Sequence, residues 1–190
     1  IRLVTYHIKI EGRSFQIPVH GMIELEIYML KSGFLTVSIS GENYIGTPGD
    51  AFVVLPGNLH FMGSQTGTVD YFTFLFPLKY ISFCINDMLD EKLLEPLKNG
   101  HLMISPQVKD TAKELCEQLV EIYVAKNKKT ESQITAQIKT KIILLQFIFE
   151  MWEKGFVIEN DKSGRNTVEK EMISYITAEF YGKDIIKRIW

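Results

Sequence analysis

The first 80 or so residues alternate between short β-prone segments and turn residues, and this pattern constrains the fold more than any other feature. The segments end at turn signals such as Glu11-Gly12 and Pro56-Gly57-Asn58. The predicted strands are residues 3–10, 14–19, 22–30, 35–40, 44–45, 51–55 and 69–76. Many short strands joined by glycine and proline turns are typical of a β-sandwich or a small β-barrel.

Apolar residues begin to recur at helical spacing near residue 105. Ser105 followed by Pro106 is typical of an N-cap and a first helical position, which predicts a helix near residues 106–125. The apolar residues of this segment are spaced by four and three positions, as in the seam of a coiled coil. They are Val108, Ala112, Leu115, Leu119 and Ile122.

A second helix is predicted over residues 131–154, where Thr130 and Gln133 form a capping box. Its C-terminal half is apolar nearly all round, which indicates burial on more than one side. The polar residues 159–166 then suggest a linker, and another capping box starts a third predicted helix over residues 167–181.

The composition argues against several classes of protein. The 190 residues are 46% apolar and 23% charged with a net charge of -2, a balance that offers no basic surface for nucleic acid. No apolar stretch approaches the roughly 18 residues that a membrane-spanning helix needs. There is no nucleophile motif and no phosphate-binding glycine loop. The two distant cysteines, Cys84 and Cys116, predict a reducing cytoplasmic environment.

Residues 20–30, HGMIELEIYML, alternate between polar and apolar side chains. By the two-residue period of a strand, one face carries His20, Met22, Glu24, Glu26 and Tyr28. The other face carries Ile23, Leu25, Ile27 and Met29, which we expect to pack against neighbouring layers. The polar face lines a pocket or faces water, as in a half-exposed antiparallel strand. In a pocket, the buried carboxylates would need hydrogen-bond donors.

Two short motifs favour the pocket. The first is H-x-M-x-x-x-E followed after six residues by glycine, and it occupies His20, Met22, Glu26 and Gly33. The second begins at Gly49-Asp50, continues through a buried-type strand, and ends at Pro56-Gly57 and His60. Over roughly residues 1–80 this pair resembles the two signature segments of the cupin double-stranded β-helix. In that barrel the segments lie side by side, and alternate side chains point into the interior.

The cupin resemblance also implies where a metal would be held. The usual ligand set would fall on His20, position 22, Glu26 and His60. Position 22 is a methionine, and a thioether is a poor ligand for the divalent ions that prefer imidazole and carboxylate. We therefore expect no tightly bound metal.

A narrower resemblance covers most of the chain. A barrel with an ELEIYMLKSG strand, a PGDAFVVLPGNLH turn and a YFTFLF strand is followed by two helices, a linker and EMISYITAEFYGKDI. This order resembles the AraC-type bacterial transcription regulators, whose barrel-shaped sensor domain is followed by a helical pair that dimerises. Tyr175-Ile176 and Phe180-Tyr181 match the first helix of their DNA-binding domain. The two helix-turn-helix units that should follow are absent from the sequence, which stops at Trp190.

The resemblance implies an α+β chain in four parts. Residues 1–105 form a cupin-like effector-binding barrel, and residues 106–158 form a helical dimerisation region. Residues 159–166 are the linker, and residues 167–190 are the start of a truncated helix-turn-helix domain.

The resemblance further implies the sensing and dimerising part of a regulator, without enzyme activity or a cofactor. Its partners would be a small effector such as a sugar or another polar metabolite, a second copy of the chain, and DNA through the full-length parent only, with no membrane. Ligand contacts are expected from His20, Met22, Glu24, Glu26, His60, Met62, Phe72 and Phe74. Dimer contacts are expected from Leu115, Leu119, Ile122, Ile138 and Ile142.

The alternative function is a cupin enzyme, an isomerase or oxygenase with a metal on His20, Glu26 and His60. The helical half favours the regulator, because a small cupin enzyme has no need of it. Individual residues also have plainer interpretations. His60 would be an exposed loop residue, and Phe72 and Phe74 would be part of the core.

Overall fold

Three antiparallel β-sheets, two large and one of two strands, and a set of helices make up the computed structural model, which describes residues 3–65, 67–83, 87–110 and 112–160. The strands before residue 80 are β1 Val4–Glu11, β2 Phe15–His20, β3 Leu25–Gly33, β4 Leu35–Ile39, β5 Glu42–Gly46, β6 Ala51–Val54, β7 His60–Ser64 and β8 Thr68–Phe76. The later strands are β9 Leu102–Ile104, β10 Gln107–Val108 and β11 Val157–Glu159. The helices are α1 Glu95–Asn99, α2 Lys113–Asn127 and α3 Gln133–Glu153.

Nine of the described strands form two sheets around a shared interior, and β9 and β11 form a separate two-stranded sheet. One sheet has the order β1-β8-β3-β6-β10, and the other has the order β2-β7-β4-β5. Side chains from both sheets pack together in one buried cluster, which includes Tyr28, Val37, Phe52, Met62 and Tyr71. This arrangement confirms the predicted barrel followed by a helical region. Strand β7, which the turn signals around His60 concealed, and the short strand β10 were not predicted.

The five-stranded sheet is covered on its second face as well. Leu25, Ile27 and Met29 of β3 point away from the barrel interior and join a larger apolar cluster with α2 and α3. Tyr28 and Leu30 of the same strand point inward. The predicted alternation is therefore confirmed from Leu25 onward, because a period of two sends successive side chains to opposite faces. Ile23, which was expected to pack with the outward-pointing residues, precedes the strand and is 55% exposed.

The glycine that closes the first motif has a structural reason. Gly33 ends β3 with a φ of 87°, which L-residues other than glycine adopt at a cost. A Cβ at this position would also collide with the backbone carbonyl oxygen of Thr68 on the neighbouring strand. The motif therefore needs glycine for both conformation and close approach.

The first long helix starts later than the sequence predicted. Residues 107 and 108 pair with β6 as strand β10, and the carbonyl of Pro106 accepts a hydrogen bond from the Val53 amide at 2.9 Å. The Ser105 hydroxyl donates to the carbonyl of Gln107 at 3.2 Å, so it caps no helix. Local cap signals gave the wrong start because pairing with β6 competes for these residues.

The second long helix lies where it was predicted, with a different cap. Ser132 is its N-cap and accepts a hydrogen bond from the Thr135 amide at 3.1 Å. Thr130 instead donates its hydroxyl to the carbonyl of Ala125 at 3.2 Å. The shift is small, since serine and threonine are both good N-caps.

The apolar seam of α2 faces the barrel. Leu115, Leu119 and Ile122 are 4%, 2% and 9% exposed and belong to the cluster that also contains Phe74. Most of their surface is therefore covered by the sheet, and their assignment to the dimer interface stays a prediction. A four-three spacing shows that a helix has an apolar face, but it does not show whether a sheet or another chain covers that face.

The end of the described chain closes back onto the region before α2. Strand β11 pairs with β9, with Ile158 opposite Met103, so Glu159 belongs to a strand rather than to a linker. Residues 161–190 lie outside the described residues, and the third predicted helix falls there. Within the described part, no helix is long and apolar enough to cross a membrane.

Candidate functional site

A polar cluster lies inside the barrel, among otherwise apolar side chains. Glu26 of β3 and His60 of β7 are 2% and 1% exposed, and Tyr28 is fully buried. His60 Nε2 lies 3.0 Å from Glu26 Oε2 and 2.9 Å from the Tyr28 hydroxyl. The Tyr28 hydroxyl donates to the same oxygen of Glu26. The three side chains therefore form one closed hydrogen-bonded group.

The hydrogen-bond partners fix the roles of Tyr28 and Glu26. Tyr28 has a single hydroxyl proton, and that proton goes to the Glu26 carboxylate, which accepts it. Both ring nitrogens of His60 face oxygen atoms. Nε2 faces Glu26 and the Tyr28 hydroxyl, and Nδ1 faces the carbonyl of Asn58 at 3.1 Å.

The surroundings shift the pKa values in directions that agree with this assignment. Burial alone would raise the pKa of Glu26, but the hydrogen bond and charge of His60, together with the Tyr28 hydroxyl, outweigh burial and lower it. Burial and the charge of Glu26 raise the pKa of Tyr28 well above its ordinary value. Tyr28 therefore remains a hydroxyl donor, and Glu26 remains ionised at neutral pH.

His20 joins the cluster through strand pairing. It ends β2, lies opposite His60 in the register of β2 and β7, and its ring centroid is 4.1 Å from that of His60. Its Nδ1 donates to the carbonyl of Pro18 at 2.9 Å. Burial, followed by the charge of His60, lowers the pKa of His20, so this second imidazole is neutral.

Two other predicted ligand contacts, Met22 and Glu24, lie between β2 and β3 rather than on a strand. Strand β3 begins at Leu25, so Met22 and Glu24 belong to the connection from β2, where both are half-buried. Burial raises the pKa of Glu24. His20 and Glu26 therefore meet because β2 and β3 pack together, and the strand predicted over residues 22–30 begins only at Leu25.

The remaining predicted contacts lie on opposite sides of the sheet. Met62 of β7 is fully buried inside the barrel. Phe72 and Phe74 of β8 lie in the cluster shared with the helices, where Phe72 stacks on His7 with ring centroids 4.2 Å apart. These residues have the phase of β8 that points away from the barrel interior, and their expected ligand contact stays a prediction.

The inner phase of β8 carries polar groups that the sequence interpretation missed. Tyr71 and Thr73 are fully buried, and within the described part of the chain neither hydroxyl has a hydrogen-bond partner. Thr73 lies opposite Tyr28 in the strand register, and the rings of Tyr28 and Tyr71 are 6.3 Å apart. Burial, followed by the charge of Glu26, raises the pKa of Tyr71. The two-residue period applied to VDYFTFLF would have found both residues.

The same site contains residues that could hold a metal ion. Ligand atoms of His20, Glu26 and His60 lie within 4.8 Å of one another. Two imidazoles and a carboxylate suit a divalent transition metal, and both histidines donate Nδ1 to a carbonyl, as metal-ligating histidines commonly do. The donor set thus fits a metal with three protein ligands, although His60 and Glu26 currently bond to each other. The expected absence of a tightly bound metal stays a prediction.

Comparison with protein families identifies the class of this chain. The model of the AraC-like ligand binding domain matches residues 4–148. The chain belongs to this family. No curated protein matches it.

Several solved structures match part of this chain. A conserved protein of unknown function from Streptococcus pyogenes is 16% identical with a TM-score of 0.37, over 40% of this chain and 64% of that one. Bacillus subtilis oxalate decarboxylase, described with Mn(II) centres, is 18% identical with a TM-score of 0.35, over 40% of this chain and 21% of that one. KdgF from Halomonas sp. is 23% identical with a TM-score of 0.35, over 38% of this chain and 67% of that one.

Proposed function

We propose that this chain is the effector-sensing and dimerising part of a bacterial AraC-type transcription regulator, and that its effector binds inside the barrel. The observation that supports this most is the pair of buried, unpartnered hydroxyls on Tyr71 and Thr73, beside the cluster of Glu26, Tyr28 and His60. A buried polar group without a partner costs about 1–3 kcal/mol. Such groups in a native protein call for an explanation, and a polar ligand supplies the missing partners.

The charges of the interior favour a neutral effector. Glu26 and His60 already pair with each other at 3.0 Å, and the lowered pKa of His20 keeps that ring uncharged. An ionised ligand would bring a further charge into a buried interior, at a cost of several kcal/mol. A small hydroxylated molecule such as a sugar satisfies hydroxyl groups without that cost.

The connection between β2 and β3 is the proposed entrance. His20, Met22 and Glu24 are half-buried there, whereas Glu26 and Met62 deeper inside are almost fully buried. An effector that enters past these residues reaches the imidazole of His20 first. The predicted contacts His20, Met22, Glu24, Glu26, His60 and Met62 therefore remain in the proposal, with Tyr71 and Thr73 added.

The outer face of α3 is the proposed dimer interface. Its exposed apolar residues follow helical spacing along one side of the helix. They are Ile134, Ile138, Ile142, Phe149 and Trp152, which are 72%, 56%, 57%, 57% and 51% exposed. A long apolar stripe on the surface marks an association site, and pairing with the same stripe of a second copy gives a closed symmetric dimer.

Regulation of DNA binding is proposed for the full-length parent and not for this chain alone. An effector that binds one arrangement of the barrel and helices more tightly than another would shift the population toward it. Cys116 is a buried thiol whose pKa burial raises to about 12, which suits a protein of the reducing cytoplasm that uses no redox chemistry at this position.

Thermal unfolding with a matched sugar panel tests the ligand class. The panel pairs neutral aldoses and polyols with the corresponding uronates and amino sugars. A neutral member should raise the melting temperature, since a ligand that binds only the native state stabilises it, and Tyr71→Phe should reduce that rise. Stabilisation by charged members alone, or a rise that Tyr71→Phe leaves unchanged, would contradict the proposal.

The second candidate is a metal-dependent cupin enzyme, favoured by the convergence of His20, Glu26 and His60. Elemental analysis of protein purified without chelators separates the two candidates. The regulator without a metal predicts well under one equivalent of transition metal per chain. One equivalent that disappears in His60→Ala would favour the enzyme.

A further inference from the structure

A cleft of about 470 Å³ lies where the first strand of the barrel meets the two long helices. Its walls come from the start of β1, the second half of α2, the first two turns of α3, and Tyr80. Small-molecule sites are typically about 300–1,000 Å³ in volume. The cleft contains none of the residues of the barrel cluster, so it is a separate candidate site.

The floor of the cleft is apolar and rigidly packed. Leu119, Ile122 and Ala136 line it and are 2%, 9% and 6% exposed. Each of them belongs to the core between the sheet and the helices. The apolar body of a ligand that lies on this floor would leave water, which is favourable.

The rim of the cleft is polar and carries positive charge. The amides of Asn127, Gln133 and Gln137 lie around it, and Gln137 hydrogen-bonds to Tyr80. Among the described lining residues, Lys126 is the one formally charged side chain, and none is acidic.

Carboxylates do not neutralise this charge. In the described part of the chain no carboxylate lies within ion-pair distance of Lys126, whereas the nearby Glu131 is paired with Lys139 at 2.5 Å. Lysine and side-chain amides are hydrogen-bond donors that suit an anionic oxygen. The rim therefore selects for negative charge.

We propose that this cleft binds a small organic anion, with its apolar body on Leu119, Ile122 and Ala136 and its anionic group at Lys126. Such a ligand would contact the barrel edge, α2 and α3 at once. Because α3 also carries the proposed dimer stripe, an occupied cleft would stabilise one placement of that helix against the barrel.

Binding of a matched pair of fluorescent probes to the full chain tests the proposal. The probes are 2-naphthoate and 2-naphthalenemethanol, which share an aromatic body and differ in charge. The naphthoate should bind more tightly, and its affinity should fall with added salt because the contact to Lys126 is near the surface. Equal affinity for the two probes, or no binding of naphthoate at millimolar concentrations, would overturn the proposal.

Two substitutions locate the anion. Lys126→Gln should weaken naphthoate binding about threefold to fivefold, as expected for one partly exposed ion pair, and leave the alcohol unchanged. Gln137→Glu adds a carboxylate to the rim with almost no change in shape, and it should weaken naphthoate binding further. Both positions are exposed, so the variants should fold.

Matched controls carry the same charge changes outside the cleft. Lys128→Gln in the turn after α2 and Gln146→Glu farther along α3 should leave naphthoate affinity unchanged, since neither residue lines the cleft. Tyr71→Phe should also leave it unchanged, which separates this site from the barrel site. If Lys126→Gln and Gln137→Glu have no more effect than these controls, the anion does not bind in the cleft and the proposal fails.

Discussion

Successive side chains of the nine-residue strand β8 point to opposite faces of the sheet, and the two faces differ in chemistry. The face toward the helices carries Phe72, Phe74 and Phe76, which fill an apolar cluster. The face toward the barrel interior carries Tyr71 and Thr73, whose hydroxyls have no partner among the described residues. One face is therefore built to hold the fold together. The other bears polar groups that contribute nothing evident to stability, and this difference is the basis for placing the effector in the barrel.

The outer face should show the largest effect on stability. Phe74 is fully buried between the sheet and the helices. Phe74→Ala should lower the free energy of unfolding by about 3–5 kcal/mol, the usual cost of a large-to-small change in a core. Urea unfolding measures this change. A loss below about 1 kcal/mol would mean that this face is not well packed.

The charged pair inside the barrel should show the next largest effect. Glu26→Gln removes the carboxylate that pairs with His60 and accepts from Tyr28. It should lower the free energy of unfolding by about 3 kcal/mol, because two buried side chains then lose their charged hydrogen-bond partner. Urea unfolding at neutral pH is the measurement, and Glu95→Gln, which breaks an exposed ion pair with Lys98, is the matched control with little expected effect.

Low pH should remove the stability that the Glu26 carboxylate contributes to the parent protein. The pKa of Glu26 is lowered by folding from its ordinary 4.5. Its ionised form therefore stabilises the fold above that value, and the stabilisation is lost as the pH falls below about 4.5 toward the lowered pKa. The parent should lose more stability than Glu26→Gln between neutral pH and this range. Parallel loss in both proteins would exclude this role for Glu26.

The apolar stripe of α3 is exposed and not covered by the barrel, in contrast to the outer face of β8. A substitution in this stripe therefore tests the proposed dimer interface. Ile138→Glu should raise the dissociation constant of the dimer at least tenfold, equivalent to about 1.4 kcal/mol. Sedimentation velocity over a concentration series measures it. Gln146→Glu, an exposed position of the same helix outside the stripe, should leave the dimer intact. A parent that is monomeric at all concentrations would contradict the proposed interface.

The fold was largely predictable because its signals are periodic. The alternation in residues 20–30 and 69–76 and the apolar spacing after residue 105 gave the barrel and both long helices. The start of α2 was misplaced because the pairing of Gln107 and Val108 with β6 depends on residues more than 50 positions away. Periodicity describes one element at a time and cannot show such long-range competition.

The site was predictable only in part. The motif positions His20, Glu26 and His60 do meet inside the barrel. Phe72 and Phe74 were chosen for their aromatic character, although the strand period places Tyr71 and Thr73 on the inner face instead. Likewise, the sequence shows that α2 and α3 are both amphipathic. Only the packing shows that α2 is covered by the sheet while Ile138 and Ile142 of α3 remain exposed.

The smallest expected effect gives the most direct test of the central claim. The double variant Tyr71→Phe and Thr73→Val removes both unpartnered hydroxyls from the ligand-free protein and keeps nearly the same shape. Urea unfolding should show stability equal to that of the parent or higher by about 1 kcal/mol, because removing buried groups that lack partners is neutral or favourable. A loss of 2 kcal/mol or more, on the order of one buried hydrogen-bond network, would contradict the account by showing that these hydroxyls serve the fold.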